Sequence, residues 1–177
     1  MFMDPTSLIA SCNLQSTESV ADFGAGSGFV ARAAALLVPQ GNVFAIEINR
    51  DIVARLTREA ADMHISNLHP IWGDIEINGG SKLADKSMDM IIVSNTLFHI
   101  EDKDGCFREI TRVLKPQGRL LIVDWTESFG GMGPRPQSVV TKEVALELAK
   151  RYGFELLNDK LQAGEHHYGI LLKKSSA

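Results

Sequence analysis

The chain has 177 residues, 18 Lys and Arg against 22 Asp and Glu, and a formal net charge of −4. This length favours a single domain, here 1–177, able to bury roughly 70% of its unfolded surface. The hydrophobic and charged fractions, 45% and 23%, exclude a disordered chain, and the acidic balance argues against a generic nucleic-acid binder, which is usually basic.

The opening MFMDPTSLIASCNL lacks the cationic region and long apolar core of a secretory leader. No apolar run approaches about 18 residues, so no membrane span is expected. Residues 5–14 read as a short helix, with Pro5 early and Leu8, Ile9 and Cys12 on one face. Cys12 and Cys106 match no zinc or redox spacing, and we read them as reduced, buried thiols of a cytoplasmic protein.

An apolar strand over 19–23 runs into VADFGAGSG, residues 20–28. Asp22 closes the strand, and Gly24, Gly26 and Gly28 alternate with small residues, Ala25 among them. A helix over about 28–38 follows at once and stops at Pro39. Strand, glycine loop and helix together let a ligand touch bare backbone, and the helix start offers N–H groups to an anion. Asp22 suits loop ordering, or a ligand ammonium or hydroxyl.

A strand over 43–48 carries Glu47, which ends the apolar run NVFAIE and is a carboxylate placed to accept both hydroxyls of a ribose. Asn49 is a plausible N-cap for a helix carrying Ile52, Leu56, Ala60 and Met63 as its apolar stripe. The next strand, about 69–73, ends at Asp74, an acceptor for an adenine amino group. Three acidic or glycine-rich strand ends in succession describe a nucleoside site at one edge of a sheet.

Residues 75–88 read as loop, and DMIIVS, 89–94, as a strand buried on both faces. A helix over about 103–114 turns Phe107, Ile110, Val113 and Leu114 inward and breaks at Lys115-Pro116-Gln117-Gly118 before a strand over 119–124. WTESFGGMGPRPQS, 125–138, is the one loose segment. A helix over about 140–152 follows, with Val140, Val144, Leu148 and Tyr152 on one face. Two closing strands, near 153–158 and 167–173, have no helix between them, which suggests a terminal antiparallel hairpin on a sheet of βα repeats.

From about residue 5 to 174 the sequence resembles the class I S-adenosylmethionine-dependent methyltransferases, most of all the small-molecule group with the ubiquinone/menaquinone C-methyltransferases. DFGAGSG is similar to that family's first motif, and LADKSMDMIIVSN and REITRVLKPQGRLLIVD to the segments around its fourth and fifth strands. Each motif is of middling specificity; their order and spacing together are strong. The resemblance implies a Rossmann-like three-layer α/β sandwich, a seven-stranded, mostly parallel sheet of order 3-2-1-4-5-7-6 with its last strand antiparallel. It implies S-adenosylmethionine as cofactor, with Asp22, Gly24, Ala25, Gly26, Gly28, Glu47, Ile48, Asp74, Ile75 and Asn95 around it. Ile48 and Ile75 would flank the adenine ring.

Methyl transfer from a sulfonium is an in-line displacement in which orientation supplies several kcal/mol. It needs no metal, and His166 with His167 reads as a pair of hairpin residues, not a metal site. A general base is needed only for an acceptor that must lose a proton early. His99 is the candidate base, because imidazole titrates near neutral pH. Phe98, Asp124, Trp125 and Arg135 stand at or after the fourth and fifth strand ends and are the candidate acceptor contacts; Asp124 could instead cap its loop. The acceptor is expected to be a small molecule. Two departures from the family stand out. Fewer than two dozen residues precede the glycine loop, which leaves room for a homo-oligomer whose second copy completes the roof. Ser94-Asn95-Thr96-Leu97 also lacks the prolines that grip a planar amine. A non-catalytic partner subunit of the same fold stays open as an alternative. So, more distantly, does a nicotinamide-dependent oxidoreductase, although Phe29 stands where its third glycine belongs.

Overall fold

In the computed structural model, which describes residues 4–175, strands and helices alternate along most of the chain, with no helix over 73–87 or 159–166. Met1–Met3, part of the stretch read for a leader, lie outside the described residues, as do Ser176 and Ala177. Asp4 caps a short helix α1, Pro5–Ala10, accepting from the N–H groups of Thr6 and Ser7. Then come β1, Ser19–Phe23; α2, Phe29–Leu37; β2, Asn42–Glu47; α3, Arg50–Asp62; and β3, Leu68–Trp72. The second half carries β4, Met88–Ser94; α4, Lys103–Val113; β5, Leu114–Trp125; α5, Lys142–Arg151; β6, Phe154–Asn158; and β7, His167–Lys174.

The strands form one sheet of order β3-β2-β1-β4-β5-β7-β6. β1 to β5 are parallel, and β7 runs antiparallel to both β5 and β6. The central strands are buried on both faces because each alternates its side chains between two cores. Ile91 and Val93 of β4 join Phe107, Ile110 and Leu148 under α4 and α5. Met90 and Ile92 join Leu8, Ile9, Val30 and Leu56 under α1, α2 and α3. The order reverses between β1 and β4, so the loops at the carboxyl ends of those strands open a crevice there. Pro70 in β3 is tolerated because β3 is an edge strand.

Three expectations about elements need correction. Lys115-Pro116-Gln117-Gly118 is not a separate loop: β5 begins at Leu114, opposite Met88, and the next pair is Met90 with Arg119. The tetrapeptide bulges out of the ladder because Pro116 has no N–H to donate and Gln117 adopts φ 64°. α5 starts after Thr141, whose hydroxyl accepts from the Val144 N–H, so its inner face is Ala145, Leu148 and Ala149. Val144 is left 49% exposed. Met63, expected in the α3 stripe, is exposed at that helix's C-cap. Cys12 and Cys106 are free and buried.

Candidate functional site

The glycine loop is held open by contacts on every side. Glu47 at the end of β2 turns back to accept from the Gly26 N–H at 3.0 Å and the Asn49 N–H at 3.0 Å. On the other side two arginines pin the loop's carbonyls: Arg55 donates to Gly26 O at 3.1 Å and Arg32 to Ser27 O at 3.2 Å. Both arginines also pair with Glu59 of α3. Gly24, at φ 79°, lies against Thr96, and a Cβ there would come within 2.5 Å of the Thr96 methyl. Gly28, at φ 75°, is the N-cap of α2 and offers no side chain to its first turn. Asp22 serves that turn instead, accepting from the Ala31 N–H. It is 2% exposed, and burial pushes its carboxyl up to about 7.

Two clefts flank the loop. The larger, about 850 Å³, has Gly24, Gly26, Glu47, Ile48, Asp74 and Ile75 among its walls, with Asn95, Thr96 and His99 opposite. It is apolar where Ile48 and Ile75 face it and acidic where Glu47 and Asp74 do, a chemistry suited to a nucleoside. Asp74 also orders the turn after β3, accepting from the Glu76 N–H at 2.9 Å. The smaller cleft, about 340 Å³, shares Gly24, Gly26 and Asn95 with the first. It adds Asp22, Ala25, Ser27 and Ser94, and its remaining walls are Pro5, Phe29, Val30, Trp125 and His167.

Asn95 connects the two. It takes φ 54°, a conformation that asparagine tolerates better than most residues, while its N–H donates to Val123 O at 2.8 Å. Its side-chain oxygen is buried and has no hydrogen-bond partner. An orphaned acceptor beside the bare backbone of Gly26, between an acidic nucleoside-sized cleft and Asp22, fits a ligand that carries an adenosine at one end and an ammonium at the other. The residues present therefore fit S-adenosylmethionine. Among the described residues, no three His, Cys, Asp or Glu side chains come together as a metal site.

All ten residues read as cofactor contacts lie in or beside these clefts; Gly28 alone lines neither, acting one step back as the cap of α2. The acceptor contacts divide differently. Trp125 lines the smaller cleft. Asp124 is fully buried, and its carboxylate accepts from the N–H groups of Leu97 at 2.9 Å and Trp125 at 2.8 Å. It caps the turn after β4 and lines neither cleft. Phe98 also lines neither; it packs half-buried on the core and against the His99 ring at 3.9 Å between centroids. Arg135 is exposed in the segment after β5 and also lines neither. His99 is exposed on the wall of the larger cleft. Arg32 and Arg55 had no signal in the sequence, Thr96 stood out only within Ser94-Asn95-Thr96-Leu97, and His167 read only as a hairpin residue. Each acts across the fold, and only the register of β7 against β5, with Trp125 opposite His167, brings that imidazole to the site.

Comparison with known proteins gives a consistent result. Residues 14–166 match a family model described as a methyltransferase domain. A ubiquinone/menaquinone biosynthesis C-methyltransferase, UbiE, from Pasteurella multocida is 32% identical over 144 residues, covering 79% of this chain and 50% of that protein. Methyltransferase str2 from Strobilurus tenacellus is 28% identical over 163 residues, covering 91% of this chain and 52% of that protein. The chain thus spans about half the length of these curated relatives. A SAM-dependent methyltransferase from Aquifex aeolicus superposes with a TM-score of 0.88 at 21% identity, covering 97% of this chain and 90% of that one. The [4+2]-cyclase SpnF gives a TM-score of 0.81 at 19% identity, covering 97% and 81%. At such identities the structural likeness establishes the fold alone.

Proposed function

The chain belongs to the class I S-adenosylmethionine-dependent methyltransferase family, and from that premise we propose that it transfers a methyl group from this cofactor to a small-molecule acceptor. The observation that carries the reading is the orphaned Asn95 oxygen at the junction of the two clefts. S-adenosylmethionine, when bound, supplies an activated methyl group on sulfur, so the protein needs neither a metal nor a covalent nucleophile.

The chain's own residues bind and orient. Glu47 is the acceptor for the ribose hydroxyls, Asp74 for the adenine amino group, and Ile48 and Ile75 lie against the ring. Gly24 and Gly26 leave backbone bare for the methionyl portion, and Asp22 with Asn95 Oδ1 takes its ammonium. The arginine-pinned loop is set in this shape beforehand, so little ordering remains for binding to impose. The part of the second cleft beyond Asp22 and Asn95, walled by Pro5, Phe29, Val30, Trp125 and His167, supports a small acceptor. So does the name of the Pasteurella relative, a C-methyltransferase of quinone biosynthesis.

Calorimetric titration with S-adenosylmethionine and S-adenosylhomocysteine tests the cofactor directly. The native chain is expected to bind both at micromolar concentration. Glu47→Ala should weaken binding by tenfold or more, since loss of hydrogen bonds to a charged acceptor costs roughly 1.5–3 kcal/mol. Absence of binding at millimolar cofactor would remove the reading.

A further inference from the structure

Among the described residues, two buried side-chain polar atoms have no hydrogen-bond partner, Asn95 Oδ1 and His167 Nε2, and both residues line the smaller cleft. A buried polar atom without a partner costs free energy that a bound group can recover. Asn95 also borders the larger cleft. His167 does not: it stands at the start of β7, beyond Trp125, among Pro5, Phe29 and Val30.

We propose that His167 Nε2 is the hydrogen-bonding partner of the methyl acceptor, and so selects acceptors that present an O–H or N–H group to the smaller cleft. This rests on the methyltransferase reading above. Its neighbours Pro5, Phe29 and Val30 are apolar, and apart from Asn95 it is, among the described residues, the one side chain of this cleft with a buried polar atom left unpartnered; a polar group left unmatched against a built partner is where discrimination is steepest. Burial, with neighbouring His166 adding to it, holds the imidazole below its ordinary value, so at neutral pH the ring is uncharged and, in its Nδ1–H tautomer, presents the Nε2 lone pair to the cleft. The ring is also well placed. It packs on Trp125 at 4.2 Å between centroids, and Gly133 presses on the indole so closely that a Cβ there would come within 2.6 Å of it. His166 meanwhile holds the segment after β5: its carbonyl accepts from Thr126, its ring meets Glu127 at 3.1 Å and stacks on Phe129 at 3.7 Å. The pair of histidines therefore divides its work, one anchoring the segment and one facing the cleft.

The test uses the full chain saturated with S-adenosylhomocysteine and two probes of like shape, p-cresol and 4-fluorotoluene, with affinities read by ligand-observed NMR. p-Cresol should bind about tenfold more tightly, the scale of one hydrogen bond. His167→Phe should bring the two affinities together, His167→Gln should restore part of the preference, and His99→Phe should leave it intact. In the native chain the His167 ring nitrogen resonance should move with p-cresol and not with 4-fluorotoluene, which needs no variant to fold. The proposal is overturned if the preference is absent, survives His167→Phe, disappears in His99→Phe instead, or if neither probe binds. S-adenosylhomocysteine affinity, measured on each variant, separates the two readings. Intact nucleoside binding without the cresol preference overturns only the role of His167, whereas a native chain that binds no S-adenosylhomocysteine overturns the function itself.

Discussion

Asp22 is held by the fold and, on the function proposed above, is also the partner of the cofactor ammonium. Burial raises it from an ordinary 3.8 to about 7; the Ala31 N–H opposes that rise and Glu47 adds to it. Between those values the folded chain holds a proton that the unfolded chain has released. Stability from this group is therefore full below about 4, falls as pH rises toward 7, and is level above. Asp22→Asn keeps an oxygen for the helix and abolishes that slope. Urea titrations at pH 5 and pH 8 should show the variant gaining, relative to the native chain, on the order of a few kcal/mol at the higher pH. The same group should tie cofactor binding to protons. If the ligand ammonium meets Asp22, binding near pH 6 ionises it and expels a proton. Calorimetry in buffers of differing ionisation enthalpy reads that proton, and Asp22→Asn should lose it.

Between elements, the wall of the larger cleft is set by a residue that never touches it. The turn after β3, residues 73–82, carries Asp74 and Ile75 and has no regular structure of its own. Glu109 of α4, 0% exposed, reaches across to it. Its carboxylate accepts from the Gly79 N–H at 2.8 Å, the Ser81 N–H at 3.1 Å and the Ser81 hydroxyl at 2.5 Å. Arg112 closes the group, at 2.7 Å from Glu109, and continues to Asp85 and to Leu83 O. Burial alone would raise the Glu109 carboxyl, but Arg112 foremost, then Ser81 and the two N–H groups, hold it down to about 2. Its contribution is thus present above the ordinary 4.5 and is lost as pH falls toward 2. Glu109→Ala should cost about 3–5 kcal/mol, because it leaves the arginine unpaired and the turn's N–H groups unsatisfied. Urea unfolding measures that loss. S-adenosylhomocysteine affinity should fall with it, although Glu109 lies outside the cleft.

For the molecule as a whole, α1 is a structural member of the core as well as an edge of the site. Pro5 lines the smaller cleft, while Leu8, Ile9 and Cys12 share one core with Val20, Val30 and Met90. Arg119 of β5 ties the following turn down, donating to Cys12 O and pairing with Glu18 at 2.5 Å. Ile9→Ala should therefore lower stability by about 2–5 kcal/mol in a single cooperative transition. Coincident loss of Trp fluorescence and helical circular dichroism checks it; a separate early transition would mean that α1 is only loosely attached.

Much of this was legible along the chain because the signals are local. Apolar runs, Asn49 before a helix and glycines after a strand each act within a few residues, so seven strands along the chain, the glycine loop, Glu47 and Asp74 could all be read from the sequence, while the order of the strands in the sheet came only from the family resemblance. The terminal hairpin followed from the missing helix between the last two strands. Tertiary structure alone decided the rest, since those features depend on registers and contacts across long separations. Asp124 looks like an acceptor contact at a strand end, yet it is fully buried against the N–H groups of Leu97 and Trp125 and lines neither cleft, whereas Glu47, itself bonded to two N–H groups, still lines one. His167 looks like a hairpin residue, yet pairing with Trp125 carries it into the cleft. Side-chain type and spacing determine which elements form and which strand ends can be polar. Whether a given carboxylate or imidazole is left free for a ligand is decided only when the packed fold has satisfied all the others.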